Sequence, residues 1–221
     1  MQFLYHKESG HPTLTLDDEA FRYVIKVRRA KEGTVIETRN LQDSILYSYR
    51  ITDIDRRRAR LELIDQKELT IPGGNLHIGW CVIDPKTVEK SLPMLNQIGV
   101  GKITFISCDY SQKNFKISEE RLEKILINSC EQCGRSDLME LSQGGTLHDF
   151  LNAHPECAIL DFNPNTTFDA GTIDTVLIGC EGGFSDKERK MFANHPVVSF
   201  DMGLILRSET AAISAASKIL L

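Results

Sequence analysis

From residue 75 onward, short continuous apolar runs alternate with stretches whose apolar positions recur every three to four residues. Runs of that kind read as buried strands, and the 3.6-residue recurrence reads as amphipathic helix. NLHIGWCVI predicts a strand. DPKTVEKSLPMLNQ predicts a helix with Asp84 as N-cap and Pro85 at the first helical position, where its missing N–H costs nothing. KITFISCD predicts the next strand. SEERLEKILINSCEQCG predicts a helix with Leu122, Ile125, Leu126, Cys130 and Cys133 on one stripe and Gly134 at its end. TLHDFLNAH reads as a short helix, CAILDFN and TVLIGC as buried strands, SDKERKMFANH as a helix, VVSFDMGL as a last strand and SETAAISAASKILL as a C-terminal helix. This alternation predicts an α/β fold: a mostly parallel sheet with helices on both faces and a ligand site at the carboxyl ends of its strands.

The first ~70 residues follow a different period. LDDEAFRYVIKV has apolar residues at 20, 21, 24, 25 and 27, a helical face with acids at its start. GTVIETRN, SILYSYRITDI and ARLELID read as strands separated by turn-like or charged segments, the spacing of a small barrel or sheet module. Pro72, Gly73 and Gly74 then interrupt any regular element. Two domains are expected, 1–71 and 72–221.

Composition is that of an ordinary globular protein, with 41% hydrophobic and 26% charged residues. No apolar run reaches the ~18–20 residues needed to cross a bilayer, and MQFLYHKESGHP lacks the basic and apolar blocks of a signal peptide. A cytoplasmic location without membrane partners is therefore expected. The net charge of −5 conceals an asymmetry, because half of the 26 Lys and Arg residues fall in residues 1–70. Many are arginines: Arg22, Arg28, Arg29, Arg56, Arg57, Arg58 and Arg60. Their forks suit phosphate, although such a run is also what a solvated face looks like. Of six cysteines, only Cys130 and Cys133 form a C-x-x-C pair, and nothing completes a zinc site. On a helix these two share a face, so packing is their expected role and no metal is expected.

LIGCEGGFSDKE (177–188) runs from an apolar strand through three glycines into a helix start. Its spacing fits neither G-x-x-x-x-G-K-[ST] nor G-x-G-x-x-G, and Ser185 lies outside the glycines, so G-x-S-x-G fails too. Ser185 and Glu188 form an S-x-x-E capping box. Glu181 would repel a polyphosphate, whereas a cation held by backbone groups would be favoured. A tight strand-to-helix turn with no ligand also satisfies these residues.

SCEQCGR (129–135), IGCEGGFSDKE (178–188) and MGLILRSETAA (202–212), in the order EQCGR, EGGFS, ILRSETA, resemble the RsmE family of ribosomal RNA methyltransferases. VIKVRRAKEG (24–33) falls in the family's basic N-terminal segment and QIGV (97–100) at a similar helix end, so the resemblance spans nearly the whole chain. It implies a PUA-like RNA-binding β-barrel followed by a SPOUT-type, trefoil-knotted α/β domain, an exception to the usual absence of knots. It further implies S-adenosylmethionine as cofactor, a homodimer, and methylation of N3 of one uridine in 16S rRNA of the small ribosomal subunit. Carried over, Leu177, Gly179, Glu181, Gly182 and Gly183 line one cofactor loop, and Met202, Leu204 and Leu206 the other. Arg207 would stabilise charge on the uracil, Glu209 would accept the N3 proton, and Arg22, Lys26, Arg28, Arg29 and Arg135 would contact RNA. Cys180 stands where the family has Pro, Gln97 where it has Glu, and Tyr110 where it has Arg. MGLILR is one residue shorter than the family's loop. Glu209 is equally suited to a helix start, Glu131 and Arg135 to pairing with each other, and Asp161 to a loop cap as much as to the site. Two alternatives remain open: a non-catalytic RNA-binding or ribosome-assembly protein with this fold, and an enzyme of the class with another RNA target.

Overall fold

The computed structural model describes residues 2–111, 118–162, 168, 171 and 173–221. The chain divides into two compact units, one of Met1–Pro72 with Ile127–Leu138 and one of Gly73–Leu126 with Met139–Leu221. The segment 127–138, which sequence reasoning assigns to the second domain, thus belongs to the first unit.

In the first unit, β1 (Leu4–Tyr5), β2 (Thr13–Leu16), β3 (Val35–Arg39), β4 (Ile45–Ile54) and β5 (Ala59–Glu68) form a curled, PUA-like sheet in the order β1-β3-β4-β5-β2. Only the β1–β3 pairing is parallel. Alternation decides which face is covered: Tyr47, Tyr49 and Ile51 of β4 and Ala59 and Leu61 of β5 point into the core. Two register shifts in the β4–β5 ladder bend the pair. The predicted helix over 16–27 exists as α1 (Asp18–Phe21) continued by a wider π-type turn, Arg22–Val27, with Phe21 and Val24 buried.

The second unit holds β6 (His77–Cys81), α2 (Pro85–Ile98), β7 (Lys102–Ser107), most of α3 (Glu119–Cys133), β8 (Glu140–Thr146), α4 (Leu147–Ala153), β9 (Ala158–Leu160) and β10 (Thr175–Ile178). It ends with α5 (Asp186–Arg189), a 3-10 turn (Lys190–Asn194), β11 (Val197–Val198) and α6 (Ser208–Leu220). Six strands pair in parallel, in the order β11-β9-β10-β6-β7-β8. Every residue of central β6 is buried. A Cβ on Gly79 would stand 2.5 Å from the Phe150 ring of α4, whereas the next residue, Trp80, reaches α6. Consecutive strand residues face opposite ways, so α4 and α6 cover opposite faces. Two helix ends obey the chemistry their sequences announce. Asp84 accepts from Thr87 N at 3.1 Å to cap α2, and Gly134 takes the left-handed φ of +90° after α3. Among the described residues, no helix is long and apolar enough to cross a membrane.

Candidate functional site

Strand order reverses at β10–β6, because β7 and β8 extend the sheet one way while β9 is laid down beyond β10 on the other. Crevices form at the carboxyl ends beside such a reversal. Here the ends of β9, β10 and β11, together with the loop 202–206 and the start of α6, enclose a pocket of about 610 Å³ including its open mouth.

The glycine loop forms one wall. β10 ends at Ile178, and Cys180 O accepts from Gly183 N at 2.9 Å, closing a tight turn. Gly183 makes this turn with φ +68°, a left-handed conformation that a side chain would strain. The chain then enters α5 through the anticipated capping box: Ser185 Oγ accepts from Glu188 N, and Glu188 Oε2 accepts from Ser185 N at 2.8 Å. Buried Glu188 also accepts from Asp109 N through Oε1, so the box ties the loop to the end of β7. Gly182 has its own requirement, since a Cβ there would stand 3.0 Å from Tyr110 Cβ.

Two candidate loops meet in this pocket. Gly179 and Gly183 line one side, and Met202, Leu204 and Leu206 the other. Leu177 is buried inside β10, and Glu181 and Gly182 are exposed on the turn; none of these three lines the pocket. Arg207 is exposed at the N-cap of α6, between the lining residues Leu206 and Ser208, and Glu209 is half-buried in the first turn of that helix.

Sequence reasoning missed Ser208, which is buried and receives Trp80 Nε1 at 2.9 Å while donating to Gly179 O. No local signal marks a contact across 128 residues. It also missed the aromatic walls, Phe162, Phe184 and Phe200. Asp161, weighed as a strand-end residue, does line the pocket and is its one acidic side chain among the described residues. Arg189 grips it, with Nε 2.7 Å from Oδ2 and Nη2 3.2 Å from Oδ1, and Phe162 N donates to Oδ1 at 2.9 Å. That carboxylate holds the Arg189 guanidinium above its ordinary pKa. Behind the glycine loop, Cys108 and Cys180 touch, Sγ to Sγ, at 3.5 Å. Among the described residues no cluster of metal ligands occurs and no disulfide joins the cysteines.

In the first unit, Arg22, Lys26, Arg28 and Arg29 are all exposed, and Arg29 sits at a left-handed φ of +58°. Arg28 and Arg29 border an open concavity with Gln2, Thr34 and Glu37. Arg135 differs from the expectation of an RNA contact: it is 3% exposed, and its Nε and Nη2 each lie 3.0 Å from a carboxylate oxygen of Asp137. Its neighbour Glu131 accepts from Tyr5 N at 2.7 Å, and burial raises the Glu131 pKa.

Residues 71–220 match the model of an RNA methyltransferase domain, and residues 16–64 match an RNA methyltransferase PUA domain. A protein of Helicobacter pylori named ribosomal RNA small subunit methyltransferase E is 39% identical over 222 residues, covering 98% of each chain. The structure is similar to that of a probable rRNA methyltransferase from Porphyromonas gingivalis (TM-score 0.83, 22% identity, 99% of this chain and 97% of that one). It is also similar to ribosomal RNA small subunit methyltransferase E of Neisseria gonorrhoeae bound to S-adenosylmethionine (TM-score 0.78, 20% identity, 98% and 95%). With its two matched domains and a relative aligned end to end, the chain belongs to the ribosomal RNA small subunit methyltransferase E family.

Proposed function

We propose that this chain transfers a methyl group from S-adenosylmethionine to N3 of one uridine in small-subunit 16S rRNA. The observation that carries the reading is the convergence of the glycine loop and the loop 202–206 on one pocket. The residues present suit the cofactor. Phe162, Phe184 and Phe200 offer flat apolar walls for an adenine, and Gly179 and Gly183 leave backbone groups approachable. When bound, S-adenosylmethionine supplies an activated methyl group.

The chain's own tasks are positioning and charge. Uracil N3 carries a proton, so its lone pair is released only as that proton leaves and negative charge spreads to O2 and O4. Arg207, at the N-cap of α6 beside the pocket, is the group assigned to that charge. Glu209, two residues further, is the group assigned to the proton. Leu177, Glu181 and Gly182 support the cofactor loop rather than line it. Arg22, Lys26, Arg28 and Arg29 of the PUA-like unit give an exposed basic surface for RNA phosphate. Methyl transfer falls to the unit that holds the pocket, Gly73–Leu126 with Met139–Leu221, and RNA binding to Met1–Pro72 with Ile127–Leu138. Exposed Leu204 and Ile205 support a homodimer, and we place the protein in the cytoplasm, acting on the small ribosomal subunit.

Calorimetric titration with S-adenosylmethionine, followed by nucleoside analysis of 16S rRNA from a deletion strain, tests the reading. Saturable binding and loss of 3-methyluridine on deletion are expected. Unchanged 3-methyluridine would instead make this an RNA-binding protein of the fold or an enzyme for another RNA. Arg207→Ala should abolish methylation while leaving the unfolding midpoint unchanged; full activity would remove Arg207 from the mechanism.

A further inference from the structure

Three cysteines from three strand ends gather behind the glycine loop. Cys81 closes β6, Cys108 follows β7 and Cys180 follows β10, and all three are buried. Cys108 Sγ lies 3.5 Å from Cys180 Sγ and 3.0 Å from Ser111 Oγ. The two thiols look out on different spaces. Cys180 lines the pocket described above, whereas Cys108 lines a second, outward-opening cavity with Ser107, Asp109, His148 and Lys187. Cys180 is also locked into the turn, its Sγ 3.6 Å from Gly183 O and its carbonyl holding Gly183 N. Any change in the position of this sulfur therefore acts on the loop that shapes the pocket.

We propose that Cys108 and Cys180 form an oxidative modification site, which hydrogen peroxide entering by the outer cavity converts to a disulfide that deforms the glycine loop. Cys108 attacks one peroxide oxygen: the S–O bond forms, the O–O bond breaks, and the departing hydroxide leaves as water with the thiol's proton. Cys180 then attacks the sulfenic sulfur: the S–S bond forms, the S–O bond breaks, and a second water carries off the Cys180 proton. The two sulfurs give up two electrons and the peroxide is reduced to two waters. The electrostatics agree with this order. Hydrogen bonds from Cys180 and then Cys81, with a further one from Ser111, hold the Cys108 thiol well below its ordinary pKa. Donation to Cys108 together with burial pushes Cys180 and Cys81 up. Cys108, which faces the outer cavity, is thus the thiol that reacts first, and Cys180 resolves it. Because a disulfide sets its sulfurs about 2 Å apart, the pair must close by more than 1 Å from van der Waals contact. Closure at Cys180 draws on the turn it is bonded into. A cellular dithiol reverses the step by exchange.

The disulfide stands on the cysteine geometry alone, and its effect on cofactor binding rests on the function proposed above. The full chain is treated with hydrogen peroxide and alkylated. It is then digested with trypsin and a protease cutting at aspartate, so that Cys157 and Cys180 fall on separate peptides. A linked Cys108–Cys180 peptide that dithiothreitol releases is expected, with S-adenosylmethionine affinity at least about tenfold weaker in the oxidised protein and restored on reduction. Cys108→Ser should bind S-adenosylmethionine like the parent and keep its affinity in peroxide. Absence of the linked peptide overturns the modification site, as does linkage only between Cys81 and Cys108. A linked peptide with unaltered affinity overturns the loop deformation. Failure of the reduced protein to bind S-adenosylmethionine overturns the functional reading and leaves the thiol chemistry standing.

Discussion

The indole of Trp80 donates to the hydroxyl of Ser208, 2.9 Å away and 128 residues along the chain. Ser208 passes the bond on to Gly179 O, so one buried hydroxyl joins the central strand β6, the first turn of α6 and the glycine loop. The arrangement explains why a serine opens this helix beside the pocket. Ser208→Ala leaves a buried N–H and a partly buried carbonyl without that partner, each worth about 1–3 kcal/mol. Urea unfolding should show a loss of about 2–4 kcal/mol, and calorimetry should show weaker S-adenosylmethionine binding. A stability equal to the parent's would mean that water replaces the hydroxyl at both groups.

Gly183 adopts φ +68°, and a Cβ there would meet Arg189 Nη2 at an ordinary contact distance of 3.9 Å. The cost of Gly183→Ala is therefore backbone strain rather than a clash, about 1–2 kcal/mol. The variant should fold, with S-adenosylmethionine affinity reduced about tenfold as the turn relaxes away from its left-handed form. Gly79→Ala is the opposite case, since the added methyl meets the Phe150 ring inside the sheet-helix layer. That substitution should lower the unfolding midpoint more than it alters affinity per folded molecule.

Replacing Arg28 and Arg29 together by Ala should reduce the slope of log affinity for rRNA against log salt by about 1 to 2, as each lost phosphate contact accounts for roughly 0.7–0.9. Arg135→Ala should leave that slope alone and destabilise the protein by about 1–3 kcal/mol, because its fork is spent on Asp137. A salt slope altered by Arg135→Ala and not by the double variant would reverse these roles.

His77 is buried, its Nε2 2.7 Å from Thr104 Oγ1, and Thr104 Oγ1 is 2.8 Å from Ser142 Oγ. Burial first, and then the charges of His154 and Lys102, lower its pKa to about 4. Unfolded, the same imidazole titrates near pH 6.5. Between these values the unfolded chain holds a proton the folded one lacks, so stability present above pH 6.5 drains away as pH falls towards 4. The linked loss is about 3 kcal/mol. His77→Gln should flatten the stability curve between pH 6.5 and 4, and an unchanged acid slope would assign the loss to other groups.

The ends of elements were the most legible part of this sequence, because capping chemistry is local. Asp84 before Pro85, Ser185 with Glu188, and Gly134 after the long helix all occupy the positions their residue types announce. β8 was not legible. ELSQGGT is polar, lies at the sheet edge with no buried residue, and includes two glycines, so it lacks a strand's alternation. The two-residue β1 and the short β2 were equally silent, since their pairing partners lie elsewhere in the chain. The helix over 16–27 was visible, but its widening into a π-type turn was not. For the site, motif resemblance found the two loops, yet it could not separate lining residues from supporting ones. Gly179 and Gly183 face the pocket and Gly182 faces Tyr110, a distinction that only the turn geometry makes. Long-range partners such as Ser208 with Trp80, Arg189 with Asp161 and Cys108 with Cys180 leave no periodic trace at all.

The loop that closes the pocket leaves Leu204 71% and Ile205 82% exposed beside half-exposed Met202. Hydrophobic reporter dyes bind such surface, and their fluorescence is commonly taken as a sign of loosened, partly melted protein. For this chain a bright dye signal is expected without any melting in samples dilute enough to hold the proposed homodimer apart. Thermal-shift screens that rely on the same dyes should start from a high baseline, and a ligand that orders the loop should reveal itself first by dimming it.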